Sequence, residues 1–162
     1  MAKSSKKTPQ QRGHEFQDLV QKHLLEHMRK AKSYTMRLYD TKSAGNYLPS
    51  QPGDFISIFN GLPILVEAKS SGKVSSLSEN RAALQLFDNE QLAKSRLWIR
   101  AGGSASAIFQ CQHSKKLEVW DMGYLRDCFN TPRLRADTKR AYLFPPEHIN
   151  LACLFMLKGR MA

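Results

Sequence analysis

The sequence predicts one α/β (α+β) domain, a mixed β-sheet of about five strands with helices packed on it. Three patterns predict it: an apolar stripe at helical spacing near the start, a strong β-hairpin signal in the middle, and strand-like runs alternating with helical ones afterwards. The 162 residues suit one domain, and 41% hydrophobic residues can supply its core.

Residues 1–8 are rich in Lys and Ser and read as a disordered basic arm, leaving 9–162 as the folded domain. Thr8-Pro9-Gln10-Gln11 is a helix start. Thr8 can cap, Pro9 fits the first turn, and Gln11 completes a capping box. Phe16, Leu19, Val20, Leu24 and Met28 then recur on one helical face to about Ala31. Tyr34 to Tyr39 alternates like a short strand, and 40–53 has loop chemistry. Two β-rich runs then flank Asn60-Gly61, a pair suited to a type I′ turn.

The Ser/Gly-rich segment 70–78 reads as mobile. Ser76 and Glu79 form a second capping-box pattern, and a helix is expected to run to about Lys94 with Leu84, Phe87 and Gln91 on one face. Arg96–Ala101, Ala105–Cys111 and Leu117–Trp120 read as strands, with Gly102-Gly103 and His113–Lys116 as turns. A short helix is expected near Tyr124–Phe129 and another from Pro145-Pro146 to about Lys158, where Leu151, Leu154, Phe155 and Leu157 would complete the core.

Charge narrows the function classes. Lys and Arg number 25 against 14 acids, a formal net charge of +11. Like charges oppose compaction, so this excess points to a polyanionic partner, nucleic acid above all. No apolar run long enough to span a bilayer exists, and the basic start lacks the apolar core of a signal peptide. Cys111, Cys128 and Cys153 are odd in number and widely spaced, as expected of reduced thiols in a cytoplasmic protein. Neither a nucleophile elbow nor a helix-turn-helix or zinc-finger pattern is visible.

The hairpin carries the chemistry. A two-residue turn at Asn60-Gly61 pairs Phe59 with Leu62, and the register continued outward sets Asp54 opposite Glu67, on one face of the sheet. Lys69 is two residues further along the same face. Two opposed carboxylates destabilise a sheet. A magnesium ion between them reverses that, and a neighbouring lysine can stabilise phosphate charge or orient an attacking water. The ordinary alternative is a strand-starting aspartate and a surface Glu–Lys pair. The apolar run Ile64-Leu65-Val66 argues against it, since charges closing a buried strand need a partner.

Asp54 followed by Glu67-Ala68-Lys69 resembles the PD-(D/E)xK nuclease superfamily. Within it the chain looks most like the RecU-type Holliday junction resolvases and secondarily the archaeal Hjc type, through the Asp54–Glu67 separation, Gly61, Glu-Ala-Lys and, weakly, Gly13, Glu15 and Gln91. The resemblance implies a restriction-endonuclease-like sheet and a Mg2+ ion, with Mn2+ able to substitute. Asp54, Glu67, the Ala68 carbonyl and Glu15 would be ligands; Lys69 would assist the water, and Gln91 would complete the catalytic set. It departs from the pattern at Pro52, which Gly53 separates from Asp54. The loop from Asp40 to Gly53 is also shorter than the RecU insertion that crosses a junction, a compactness more like phage or archaeal enzymes.

The function expected is therefore cleavage of four-way DNA junctions by a homodimer, since paired cuts need two sites. Lys3, Lys6, Lys7, Arg12, Lys42, Lys73 and Arg81 are the candidate phosphate contacts. The alternatives are another PD-(D/E)xK nuclease (restriction-type, nickase or exonuclease) acting on duplex DNA, or a non-catalytic basic DNA-binding protein.

Overall fold

The computed structural model describes residues 7–30, 33–38, 51–59, 61–131 and 142–144, with side chains for all of these except 27–30, 80–81 and 142–144. Thr8 and Gln11 start the first helix as expected: the Gln11 N–H donates to Thr8 Oγ1 at 3.2 Å and the Thr8 N–H to Gln11 Oε1 at 2.8 Å. This reciprocal cap opens α1, Pro9–Lys30. Phe16, Val20 and Leu24 are its buried stripe, and Leu19 packs at the margin.

Strand β1 (Ser33–Arg37) pairs antiparallel with β2 (Phe55–Phe59), and β2 with β3 (Leu62–Ser71). The hairpin register is the expected one, Phe59 opposite Leu62 and Phe55 opposite Val66. Gly61, at φ +81°, takes the left-handed conformation that the turn needs. β3 then pairs in parallel with β4 (Ser104–Cys111), which is antiparallel to β5 (Leu117–Asp121), itself paired with β6 (Tyr142–Phe144). The described strands form one mixed six-stranded sheet in sequence order, β6 being the strand that no sequence pattern announced.

The parallel pair requires a crossover, and helices α2 (Asn80–Leu84) and α3 (Asn89–Arg100) provide it. Here the sequence reading is corrected twice. The single helix expected up to Lys94 is broken, and the strand expected at Arg96–Ala101 is the second half of α3. The cause is a capping box: Asp88 Oδ1 accepts from the Gln91 N–H at 2.6 Å, and Gln91 Oε1 from the Asp88 N–H at 3.2 Å. That cap starts a new helix, which carries Leu97-Trp98-Ile99 through in helical form. It ends where Gly102 adopts φ +92°. α4 (Met122–Asn130) follows β5, capped by Asp121. The helix expected after Pro145-Pro146, and with it the apolar set at 151–157, lies outside the described residues.

Two apolar layers result. On one face α1 packs on Phe55, Ile64, Val66, Ile108 and Val119; on the other, Leu65, Ala107, Phe109 and Trp120 meet Ala83, Phe87, Met122 and Leu125. Among the described residues no helix is long and apolar enough to cross a membrane.

Segment 70–78, expected to be mobile, is instead tied down, beginning with Ser70 and Ser71 at the end of β3. Val74 and Leu77 are buried, and Ser71 Oγ accepts from the Lys73 and Val74 N–H groups. Ser76 does not cap α2; the Glu79 side chain turns back to Ser75. The anchor is Glu118, 6% exposed, whose Oε2 accepts both the Leu77 N–H at 3.0 Å and the Trp120 indole N–H at 2.8 Å. Glu118→Ala strands two buried donors and is expected to cost about 2–4 kcal/mol in chemical denaturation, with faster hydrogen exchange at the Leu77 amide as the local signature.

Candidate active site

β3 outruns β2. Its pairing with β2 ends at Val66, while the strand continues to Ser71. Asp54 stands at that step, one residue before β2. Its N–H donates to the Val66 carbonyl at 3.0 Å, and its Oδ2 accepts the Ala68 N–H at 2.7 Å. The carboxylate thus supplies the hydrogen bond that a longer β2 would have made. Gly53 makes the approach possible: a Cβ there would lie 3.0 Å from the Leu65 side chain and 3.1 Å from the Val66 carbonyl oxygen. This accounts for the glycine between Pro52 and the acid.

Glu67 and Lys69 lie on the α3 side of β3. Glu67 is 3% exposed, and its Oε1 is 2.6 Å from Lys69 Nζ and accepts from Gln91 Nε2, also at 2.6 Å. Gln91 Oε1 in turn accepts from Lys69 Nζ at 3.2 Å. The capping box that starts α3 therefore also aims Gln91 at the site. Lys69 Nζ lies 5.7 Å from the centre of the Phe87 ring, a further hold on the ammonium. Among the five residues anticipated as catalytic, Asp54, Glu67, Lys69 and Gln91 converge.

The shared face expected for the two acids is altered. Asp54 is held from the sheet plane by Ala68 and from the α1 side by Gln17, whose Nε2 donates to Asp54 Oδ1 at 2.7 Å. Glu67 is held from the α3 side. The carboxylates approach each other at the end of β2, near enough that Asp54 helps to raise the Glu67 pKa.

Glu15 does not join them. Its carboxylate is half exposed and pairs with Lys7 Nζ at 2.6 Å. Helical phase is the reason. At about 100° per residue Gln17 borders the buried stripe of α1, while Glu15 falls behind it. The border position was readable from the sequence and points to Gln17. Arg37, which donates to Gln17 Oε1 at 3.0 Å, was also missed; only its place on the alternating strand β1 hinted at it. Of the candidate phosphate contacts, Lys7, Arg12 and Lys73 are exposed, with Lys7 engaged by Glu15. The Arg12 guanidinium donates to the Lys7 carbonyl at 3.0 Å. Arg81 is in α2 but its side chain is not described, and Lys3, Lys6 and Lys42 lie outside the described residues.

Burial first, and then the charge of Asp54, push the Glu67 carboxyl up to about 7, against the opposing pull of Lys69. Its second oxygen, Oε2, is buried with no hydrogen-bond partner among the described residues. A desolvated acid oxygen with nothing to bind is costly. A hard divalent cation removes the cost and suits oxygen donors. Asp54 and Glu67 would hold it, with the Ala68 carbonyl, which the strand turns to the same edge as its N–H. Among the described residues no group of three or more His, Cys, Asp or Glu converges, so the set is two carboxylates and a carbonyl. That is the sparse set magnesium accepts, water and phosphate filling the rest.

Neither a protein-family profile nor a curated protein sequence matches the chain. Among solved structures it is similar to Hjc of Archaeoglobus fulgidus, a Holliday junction resolvase from an archaeal hyperthermophile. The identity is 14%, over 66% of this chain and 76% of that one, with a TM-score of 0.44. A likeness at that level carries nothing about function, which must be read from the chain's own residues.

The raised Glu67 pKa fixes a pH dependence for the metal-free protein. Below pH 4.5 the carboxyl is protonated both folded and unfolded; between 4.5 and about 7 only the unfolded chain releases the proton. Stability is therefore expected to fall as pH rises through that window, by about 3 kcal/mol. Urea titrations across this range check it, and Glu67→Gln should flatten the slope.

Proposed function

We propose that the chain is a metal-dependent, structure-selective DNA endonuclease of the PD-(D/E)xK kind, and within that class a Holliday junction resolvase acting as a cytoplasmic homodimer with Mg2+, which Mn2+ can replace. The observation that carries the nuclease reading is the buried, partnerless Oε2 of Glu67 beside the Asp54 carboxylate. A domain selected for stability alone gains nothing from that arrangement.

Mg2+, when bound, would supply the positive charge that offsets the two carboxylates and polarises the scissile phosphate. The chain's own groups do the rest. Asp54 and Glu67 fix the place where a phosphate can be drawn in. Lys69 carries three donors, of which Glu67 and Gln91 take two. The third is left for the attacking water or a phosphate oxygen, where it can orient the one or stabilise charge on the other. Gln91 bonds both Glu67 and Lys69, which fixes the geometry of their ion pair. Water then adds to phosphorus as the P–O bond to the leaving sugar oxygen breaks, giving a phosphate monoester and an alcohol.

The net charge of +11 supports a DNA substrate held mainly through its backbone. The choice of a four-way junction over duplex rests on the resemblance around Asp54 and Glu67-Ala68-Lys69. The choice of a dimer rests on the need for two matched cuts.

The test is cleavage of four-way, forked, flapped and linear DNA with Mg2+, using wild type and Asp54→Ala. Wild type is expected to nick the four-way junction at symmetric positions. Asp54→Ala is expected to bind the same DNA while cutting on the order of a thousandfold more slowly, the several kcal/mol that held metal charge contributes. Equal cutting of junction and linear duplex would replace the resolvase reading with a general nuclease. Binding without cutting under every divalent ion would overturn the enzyme.

A further inference from the structure

We propose that Gln17, its amide oriented by Arg37, is the positioning residue that sets the Asp54 carboxylate for a divalent ion. The inference rests on the nuclease reading and adds to it a component from the α1–β1 layer.

A guanidinium donates hydrogen bonds and accepts none. Arg37 Nη2 lies 3.0 Å from Gln17 Oε1, so the oxygen end of that amide must face Arg37. The two ends of a glutamine are otherwise interchangeable in outline. Here a donor-only group stands at one end and a carboxylate at the other, and only one orientation satisfies both. The amide nitrogen is thereby directed at Asp54 Oδ1, 2.7 Å away.

Arg37 is itself gripped. Its Nη1 lies 2.5 Å from Asp18 Oδ1 and 3.0 Å from Gln21 Oε1, and its guanidinium carbon is 5.9 Å from the centre of the Phe55 ring. Gln17, Asp18 and Gln21 belong to one turn of α1, so the single guanidinium locks that turn against β1 and β2. The arginine side chain is only 14% exposed, which limits its alternatives.

Asp54 is thus anchored at both oxygens, Oδ1 by Gln17 and Oδ2 by the Ala68 N–H. An ionised carboxylate has about four lone-pair sites, so each oxygen keeps capacity for an ion while the plane of the group is fixed. Polar groups behind a metal ligand commonly govern affinity by about 10–100-fold. Gln17 contributes no ligand of its own, and Arg37 acts through Gln17.

The experiment titrates Mn2+ alone into the full chain, by calorimetry or by water-proton relaxation, alongside melting temperature and the Mn2+ dependence of DNA cleavage. Gln17→Met preserves length and removes the donor. It is expected to raise the Mn2+ Kd by about 10–100-fold and to shift the half-saturating Mn2+ for cleavage by the same factor. Arg37→Lys keeps the charge beside Asp18 but loses the planar fork whose two nitrogens reach Asp18, Gln21 and Gln17, and is expected to shift both readouts in the same direction. A purely structural role would instead lower the melting temperature of both variants and leave the Mn2+ Kd at its wild-type value; that result overturns the proposal. Wild type that binds no Mn2+, with Asp54→Ala indistinguishable from it, overturns the nuclease reading and this inference with it.

Discussion

One buried acid oxygen with no hydrogen-bond partner among the described residues, next to a second acid, is the constraint around which the site is organised. Glu67 is at a central position of the sheet, flanked by apolar Val66 and Ala68 and paired to Ala107 of β4. A solvated carboxylate would have to leave that position, and a neutral side chain would pack there without difficulty. The fold keeps the carboxylate and surrounds one of its oxygens with Lys69 and Gln91, while the other meets nothing. The raised pKa expresses the same fact in another form: without a counter-charge on Oε2 the group prefers its proton.

Sheet topology makes such a site possible. Because β3 pairs in parallel with β4, both faces of β3 are covered, and the crossover through α2 and α3 delivers Gln91 to the far side of the strand. Because β2 stops short, the opposite edge of β3 is open from Ala68 onward on the β2 side. Asp54 fills the first open hydrogen bond with its side chain. The two acids therefore come from different structural causes, one from a buried strand interior and one from a strand that ends early.

The hairpin was legible because Asn60-Gly61 dictates its own register, and register alone brings Asp54 to Glu67. The capping box at Thr8 was legible for the same reason: its partners are three residues apart and need no tertiary information. What was not legible follows from competition between local signals. Ser76–Glu79 and Asp88–Gln91 both fit a helix start, and only packing decides that the second opens the long helix. Leu97-Trp98-Ile99 reads as strand by composition, yet a helix begun at Asp88 carries it along. The segment 70–78 looks mobile by composition, and is fixed at Leu77 by Glu118 from a distant strand. The resemblance points to Glu15 and leaves Gln17 unconsidered, although the phase of the α1 stripe favours Gln17. Arg37 could not be found from sequence, because its role exists only once β1 is laid against one turn of α1.

The two carboxylates are held unequally, and the inequality has a chemical consequence. Asp54 receives a donor at each oxygen, from groups that cannot themselves lose a proton at ordinary pH: an amide side chain and a backbone N–H. Glu67 receives both of its described donors at one oxygen. An ion arriving between them would find one ligand already fixed in plane and a second with a bare oxygen directed by what holds the other. The first determines where the ion sits; the second supplies the gain in free energy, because its Oε2 begins without a hydrogen-bond partner among the described residues. If both acids were fully satisfied the pair would be inert, and if neither were held the ion would have no defined place. The division between the α1 layer, which orients Asp54, and the α3 layer, which leaves Glu67 half-satisfied, is what a metal-dependent reading requires and what packing alone does not explain.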